Sequence, residues 1–383
     1  METGQKKSSV WLWAIVLIVI VAVVVTGLSR NKASNETIKI GGAYILSGSQ
    51  ALVGDLQKQA SLIAIEEINA AGGINGRKLE LVMEDSAYDS KKSLDAYNAL
   101  KLAGINYIVA DGSPVVAAIR PVAVKDGKVM LVPGATTPAY FDGSNLSCRI
   151  ALTAKSFGPG YAQLLAKKNY TKVVTFLPDN EYGRGIYTEF SKAFEAQGGK
   201  ILVSEFYNAA GNGDYRTNIT KLKTVQNEAQ AMVVVQVANT VEPMLKQISE
   251  LGWKKPLVSD YYTIQNPALK NISLAEGIDY IDYEYTSDVA SNDSSRAKSF
   301  KEKYVAKYTA KPVYLAASHY EMVTLLAEAI GKVGDDPQKV ADYISNLKGY
   351  KGITGTLSFN NDCEVERPAV FRTVKDGKYV DLQ

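Results

Sequence analysis

The chain has 383 residues, 46% hydrophobic and 22% charged, a globular composition long enough for about two domains. Its net charge of +3, with 43 basic side chains scattered among 40 acidic ones, leaves no basic stripe for nucleic acid. His319 is the only histidine, which excludes His-rich zinc sites and the HExxH pattern.

In chain order, the first feature is the uncharged run Val10 to Leu28, nineteen residues that just span a hydrocarbon core of roughly 30 Å. Lys6 and Lys7 before it favour an N-terminus inside and the body outside, a bias that Arg30 and Lys32 weaken. We expect a retained single-pass N-terminal transmembrane helix. The alternative is a cleaved signal, whose apolar core is usually shorter, about 7–15 residues. Residues 1–36 then read as cytoplasmic tip, membrane anchor and a polar linker, SRNKASNE.

After the linker, apolar strands alternate with amphipathic helices. The spacing predicts strand Ile38–Leu46, a helix over 52–71, strand Leu79–Glu84, a helix near 90–103, strand Tyr107–Ala110, a helix after Pro114, and strand Val129–Val132. The 52–71 helix carries Ala60, Ile63, Ala64, Ile68 and Ala71 on one face, and Gly72-Gly73 stops it. A second series follows a crossing at Ala151–Ser156. It has helix 157–168, strand Lys172–Leu177, helix 183–197, strand Ile201–Phe206, a helix near 214–226, strand Met232–Val235, a helix near 240–251 and strand Pro256–Val258. Beyond Tyr283–Ser287 come two helices near 293–308 and 315–331, then Gly355–Phe359 and a final strand turn at Lys375-Asp376-Gly377-Lys378. Two βα series imply parallel sheets covered on both faces.

Catalytic patterns are missing from the residues. There is no GxxxxGK[ST] loop and no nucleophile elbow, and Gly211-Asn212-Gly213 lacks the third glycine and preceding strand of a dinucleotide site. His319 lies within a helical pattern and reads as structural. We expect no enzyme, no cofactor and no metal. Binding is better supported, because ligands of open α/β sheets sit beyond the carboxyl ends of the strands. There, strand Tyr107–Ala110 runs into Asp111-Gly112-Ser113-Pro114, with Ser113 read as a helix N-cap, and strand Val129–Val132 runs into Pro133-Gly134-Ala135-Thr136. The second series ends strands at Asp179-Asn180-Glu181-Tyr182 and at Ser259-Asp260-Tyr261-Tyr262.

Several stretches resemble a known family: Ile38-Lys39-Ile40-Gly41 leading to Leu46-Ser47-Gly48, the helix with its Gly-Gly turn, Leu131-Val132-Pro133-Gly134-Ala135-Thr136, Asp179-Asn180-Glu181-Tyr182-Gly183-Arg184-Gly185, and the closing Val374-Lys375-Asp376-Gly377-Lys378. Their order and spacing resemble the extracytoplasmic amino-acid-binding proteins of ABC importers, the leucine/isoleucine/valine-binding family of type I periplasmic binding proteins. The resemblance implies an α/β fold of two doubly wound lobes on a three-stranded hinge. Lobe 1 would comprise residues 37–152 and 286–355, and lobe 2 residues 153–285 and 356–383.

It also implies roles. Ser113 and Thr136 would hold a ligand α-carboxylate, and the Ala135 carbonyl would help hold its ammonium. Tyr182 would close over the ligand, and Asp260 (or Tyr261, should the alignment slip by one) would face the ammonium. Val53 stands where the leucine-type relative has a large aromatic, a departure that puts a leucine-type pocket in doubt, and Tyr314 is an aromatic wall or a packed tyrosine. Family lipoproteins carry a cysteine at the end of the leader, which this chain lacks, so acylation is not expected. Cys148 and Cys363 form a disulfide or stay as two buried thiols. The implied partners are a small amino acid, an ABC permease with its ATPase subunits, and the membrane through the N-terminal helix. The other reading is a sensory ectodomain of the same fold. Six Asn-X-Ser/Thr sequons, at Asn35, Asn145, Asn169, Asn218, Asn271 and Asn292, matter only in a glycosylating host.

Overall fold

The structure is a computed structural model that describes residues 36–137, 143–211, 213–285 and 295–382. The Val10–Leu28 segment lies outside the described residues, and among the described residues no helix is long and apolar enough to cross a membrane. The first series builds β1 (Ile38–Tyr44), β2 (Leu79–Asp85), β3 (Tyr107–Ala110), β4 (Val129–Val132) and β5 (Ser147–Arg149). They form a five-stranded sheet in the order β2-β1-β3-β4-β5, with every pairing parallel. Helices Ala51–Ala70, Ser90–Leu102 and Ser113–Lys125 connect them. All residues of β3 and β4 are buried, as strands covered on both faces must be, which explains their unbroken apolar runs YIVA and VMLV.

The second series gives β6 (Lys172–Pro178), β7 (Lys200–Tyr207), β8 (Ala231–Val234), β9 (Leu257–Asp260) and β10 (Asp279–Asp282). A small hairpin of β11 (Tyr350–Gly352) and β12 (Gly355–Leu357) stands apart, and β13 (Val370–Lys375) and β14 (Lys378–Asp381) end the chain. The second sheet runs β14-β13-β10-β9-β8-β6-β7, with the C-terminal hairpin joined antiparallel to β10. Helices Ser295–Tyr308, Tyr314–Val333 and Pro337–Ser345 return to the first sheet; the first two pack on helix Ala51–Ala70 and the third on β4 and β5.

Most predicted elements fall within a few residues of their expected bounds. The exceptions are β5, β10, β11 and helix Pro337–Ser345, which the periodicity did not reveal, and helix Ala154–Lys167, which starts three residues before its expected position. Strand β5 is only Ser-Cys-Arg, too short and too polar to show an alternation, and is defined by pairing with β4.

The segments that pass between the sheets are pinned together. Cys148 on β5 is bonded to Cys363, with Cα atoms 4.7 Å apart and a sequence separation of 215. Beside the disulfide, the buried Arg149 guanidinium pairs with Glu364. The backbone agrees: Arg149 N donates to Cys363 O at 2.8 Å and Val365 N to Arg149 O at 3.0 Å. Tyr283 is buried at this crossing: its ring stacks on Tyr314 with centroids 3.4 Å apart, and its hydroxyl accepts from Leu152 N at 2.9 Å.

Candidate functional site

At the carboxyl end of β3 the chain turns at Gly112, whose φ of 94° suits glycine and starts helix Ser113–Lys125 with Pro114 in its first turn. Ser113 is thus the first helical residue, and Gly112 holds the N-cap position that the sequence suggested for it. The hydroxyl instead accepts from Thr136 N at 3.3 Å and lies 3.4 Å from Thr136 Oγ1. Two hydroxyls and a helix first turn, whose amides lack intrahelical partners, converge on one spot. That arrangement suits an anion.

Asp111 precedes this turn. Its carboxylate is 3% exposed and accepts from Gly112 N at 2.5 Å and from Gln57 Nε2 at 3.4 Å. Burial pushes its pKa up to about 6, against the lowering effect of those two donors. Gly134 leaves the space it needs: a Cβ there would sit 2.5 Å from Asp111 Oδ1. Gln57 is held in turn, its Oε1 accepting from Ile45 N at 3.2 Å. A second glycine, Gly54, lets helix Ala51–Ala70 start against the end of β1, because a Cβ would lie 1.8 Å from the Ile45 carbonyl oxygen.

From the second sheet, Asn180 caps helix Glu181–Ala196 by accepting from Gly183 N at 3.1 Å, which sets Tyr182 on the first turn. Tyr182 and Tyr161 each donate a hydroxyl to Asp260 Oδ2 at 2.9 Å, and Asp260 Oδ1 accepts from Thr263 N at 3.1 Å. Burial raises the Asp260 pKa, and these donors lower it in part. Tyr261 and Tyr262 follow on the short helix Tyr261–Ile264. Tyr262 reaches across to the first series and donates to Gln50 Oε1 at 2.5 Å.

Between the two sheets lies a narrow cavity of about 20 Å³, room for about one water molecule. Ile45, Val53, Gln57, Tyr88 and the Asp111–Ser113 turn with Gly134 wall it on one side, and Tyr182, Tyr261 and Tyr262 on the other. Of the residues singled out in the sequence, Val53, Ser113 and Tyr182 line it, and Thr136 adjoins Ser113 without lining it. Asp260 is not on the wall; the tyrosines beside and after it are. The Ala135 carbonyl is buried and accepts from Arg149 Nη1 at 3.0 Å. Tyr314 is also off the wall, packed at the crossings with its hydroxyl donating to Ile150 O at 2.9 Å. Sequence reasoning missed Gln57, Tyr88, Asp111 and Tyr262. Asp111 had a signal, since it opens the same loop as Ser113; the others depend on long-range packing.

The comparisons point one way. A leucine-, isoleucine-, valine-, threonine- and alanine-binding protein of Pseudomonas aeruginosa is 28% identical over 345 residues, 88% of this chain and 90% of that one. The branched-chain amino acid transporter substrate binding protein of Streptococcus pneumoniae, solved with isoleucine, shares 26% identity at a TM-score of 0.78, covering 90% of this chain and 98% of its own. An ABC transporter substrate-binding protein of Desulfitobacterium hafniense in complex with Leu shares 25% identity at a TM-score of 0.72, covering 91% of this chain and 100% of its own. Residues 37–378 match the family model described as periplasmic binding protein, and the chain belongs to that family of solute-binding proteins rather than enzymes.

Proposed function

We propose that the chain is the extracytoplasmic substrate-binding component of an ABC-type importer and takes a small amino acid of the branched-chain class between two lobes. The observation that carries this reading is the cavity between the strand ends of two sheets, with Ser113 and its helix first turn on the wall and the Thr136 hydroxyl 3.4 Å from that of Ser113. The ligand carboxylate sits at Ser113, with Thr136 holding that serine in place. Charge-assisted hydrogen bonds contribute about 1.5–3 kcal/mol each, and a micromolar complex needs about 8 kcal/mol, so a few of them plus apolar burial suffice. Val53 contacts the ligand side chain, and Tyr182, Tyr261 and Tyr262 cover it.

Lobe 1 comprises residues 37–152 and 286–355, lobe 2 residues 153–285 and 356–383. Closure about the crossings brings both walls to the ligand, so the ligand shifts an open–closed equilibrium toward the closed form that a permease with its ATPase subunits recognises. Val10–Leu28 anchors the protein at the outer face of the cell membrane. Isothermal titration with the twenty common amino acids tests the reading. Micromolar or tighter binding of a branched-chain or small neutral member is expected, and silence toward all of them overturns it.

A further inference from the structure

The Asp111 carboxylate faces the cavity, is 3% exposed, and has no lysine or arginine within ion-pair distance among the described residues. His319 faces it, with Nε2 3.6 Å from Oδ2. The other ring nitrogen, Nδ1, is 2.7 Å from the Leu315 carbonyl oxygen, which can only accept. The proton of the neutral ring is therefore on Nδ1, and Nε2 turns a lone pair toward the carboxylate. That nitrogen is buried with no hydrogen-bond partner. Two acceptors thus confront each other beside the cavity, an arrangement that a cationic donor in the cavity relieves.

We propose that Asp111 recognises the ligand's ammonium group and so makes the site selective for amino acids over carboxylic acids that lack the amine. The assignment rests on the reading above, that the ligand is an amino acid with its carboxylate at Ser113. Asp111 and Ser113 flank Gly112 on one turn, so a ligand whose two charges share one carbon touches both. The other acceptors considered for that role are committed elsewhere. Asp260 holds Tyr161, Tyr182 and Thr263 and is off the wall, and the Ala135 carbonyl holds Arg149.

The ionisable groups facing Asp111 are Tyr44 on β1, Tyr88 after β2, Tyr261 and Tyr262 after β9, and Tyr314 and His319 on helix Tyr314–Val333. Burial holds the tyrosines protonated and pushes the His319 pKa down to about 4. Asp111, raised by burial to about 6, is then the group in this set that changes charge nearest neutrality. An ammonium ligand prefers the carboxylate form, so affinity falls as the pH drops below about 6, approaching tenfold per pH unit.

The test is isothermal titration of wild type and Asp111→Asn with leucine, alanine and isocaproate, the deaminated counterpart of leucine, with wild type also titrated from pH 8 to pH 5. Wild type is expected to bind its amino acid on the order of a hundredfold more tightly than the deaminated acid. Asp111→Asn is expected to lose most of that preference while its thermal transition does not fall. Unchanged amino-acid affinity in Asp111→Asn, or wild-type affinity that stays flat down to pH 5, overturns the assignment and leaves the binding function standing. Silence of wild type toward every amino acid overturns both. The pH series needs no variant and decides the matter even where Asp111→Asn folds poorly.

Discussion

Tyr262→Phe separates closure from ligand contact. The hydroxyl of Tyr262 points at Gln50 Oε1, 2.5 Å away, so one residue from each series meets across the cavity. Gln50 is 0% exposed, and without the hydroxyl its acceptor oxygen is buried without that donor in the closed form. The lost bond costs about 0.5–1.5 kcal/mol net, rising toward about 3 kcal/mol for an acceptor left fully dry. In the open form water serves the same oxygen, so the cost falls on the closed state alone. A shift of 1–2 kcal/mol in that equilibrium weakens apparent affinity by about 5–30-fold. The aromatic ring remains, so its apolar contact with the ligand is kept. Isothermal titration should show the weaker Kd, and stopped-flow should show most of it in faster release. A Kd within twofold of wild type would refute the argument that this bond holds the closed form.

Ser113→Ala should weaken amino-acid binding by about 10–150-fold, the loss of one charge-assisted hydrogen bond, read by the same titration. Removing the disulfide with Cys148→Ala and Cys363→Ala should lower the thermal transition, since a bridge closing 215 residues restrains the unfolded chain by at most about 5 kcal/mol; an unchanged transition would show the bridge to be energetically idle. Asp111 also carries a stability cost. Its folded pKa of about 6 exceeds the ordinary aspartate value of 3.8, so its favourable contribution is present below about 4 and is lost as pH rises through about 6. Ligand-free Asp111→Asn should therefore be more stable than wild type at pH 8 by about 2–3 kcal/mol, with the advantage fading toward pH 4 in thermal melts. No gain at pH 8 would show that the wild-type carboxylate is better solvated than its burial implies.

Much of the fold is legible because the buried parallel strands announce themselves. The runs YIVA and VMLV have no other place in a globular chain than between two helical layers, and the glycines at 72–73 and 112 mark turns that only particular backbones allow. The short elements are not legible. Strand β5 exists because β4 and the 363–365 segment pair on either side of it, a contact with partners far away in sequence. The candidate site divides the same way. Ser113 and Thr136 are candidates because they follow adjacent strands, and the fold brings their hydroxyls to 3.4 Å of each other. The ammonium partner was sought at Asp260, but nothing local to Ser259-Asp260-Tyr261 says that Tyr161 and Tyr182 take up its carboxylate. Likewise the Ala135 carbonyl looks free until Arg149 arrives from β5, itself fixed by Glu364 some two hundred residues on.

A crystal structure of the protein grown with the amino acid that binds most tightly tests the central claim most directly. The account expects density for one amino acid in the cavity beside Tyr182 and Tyr262, its carboxylate on Ser113 and its ammonium on Asp111. A ligand bound outside that cavity, or one with its carboxylate turned away from Ser113, would contradict it.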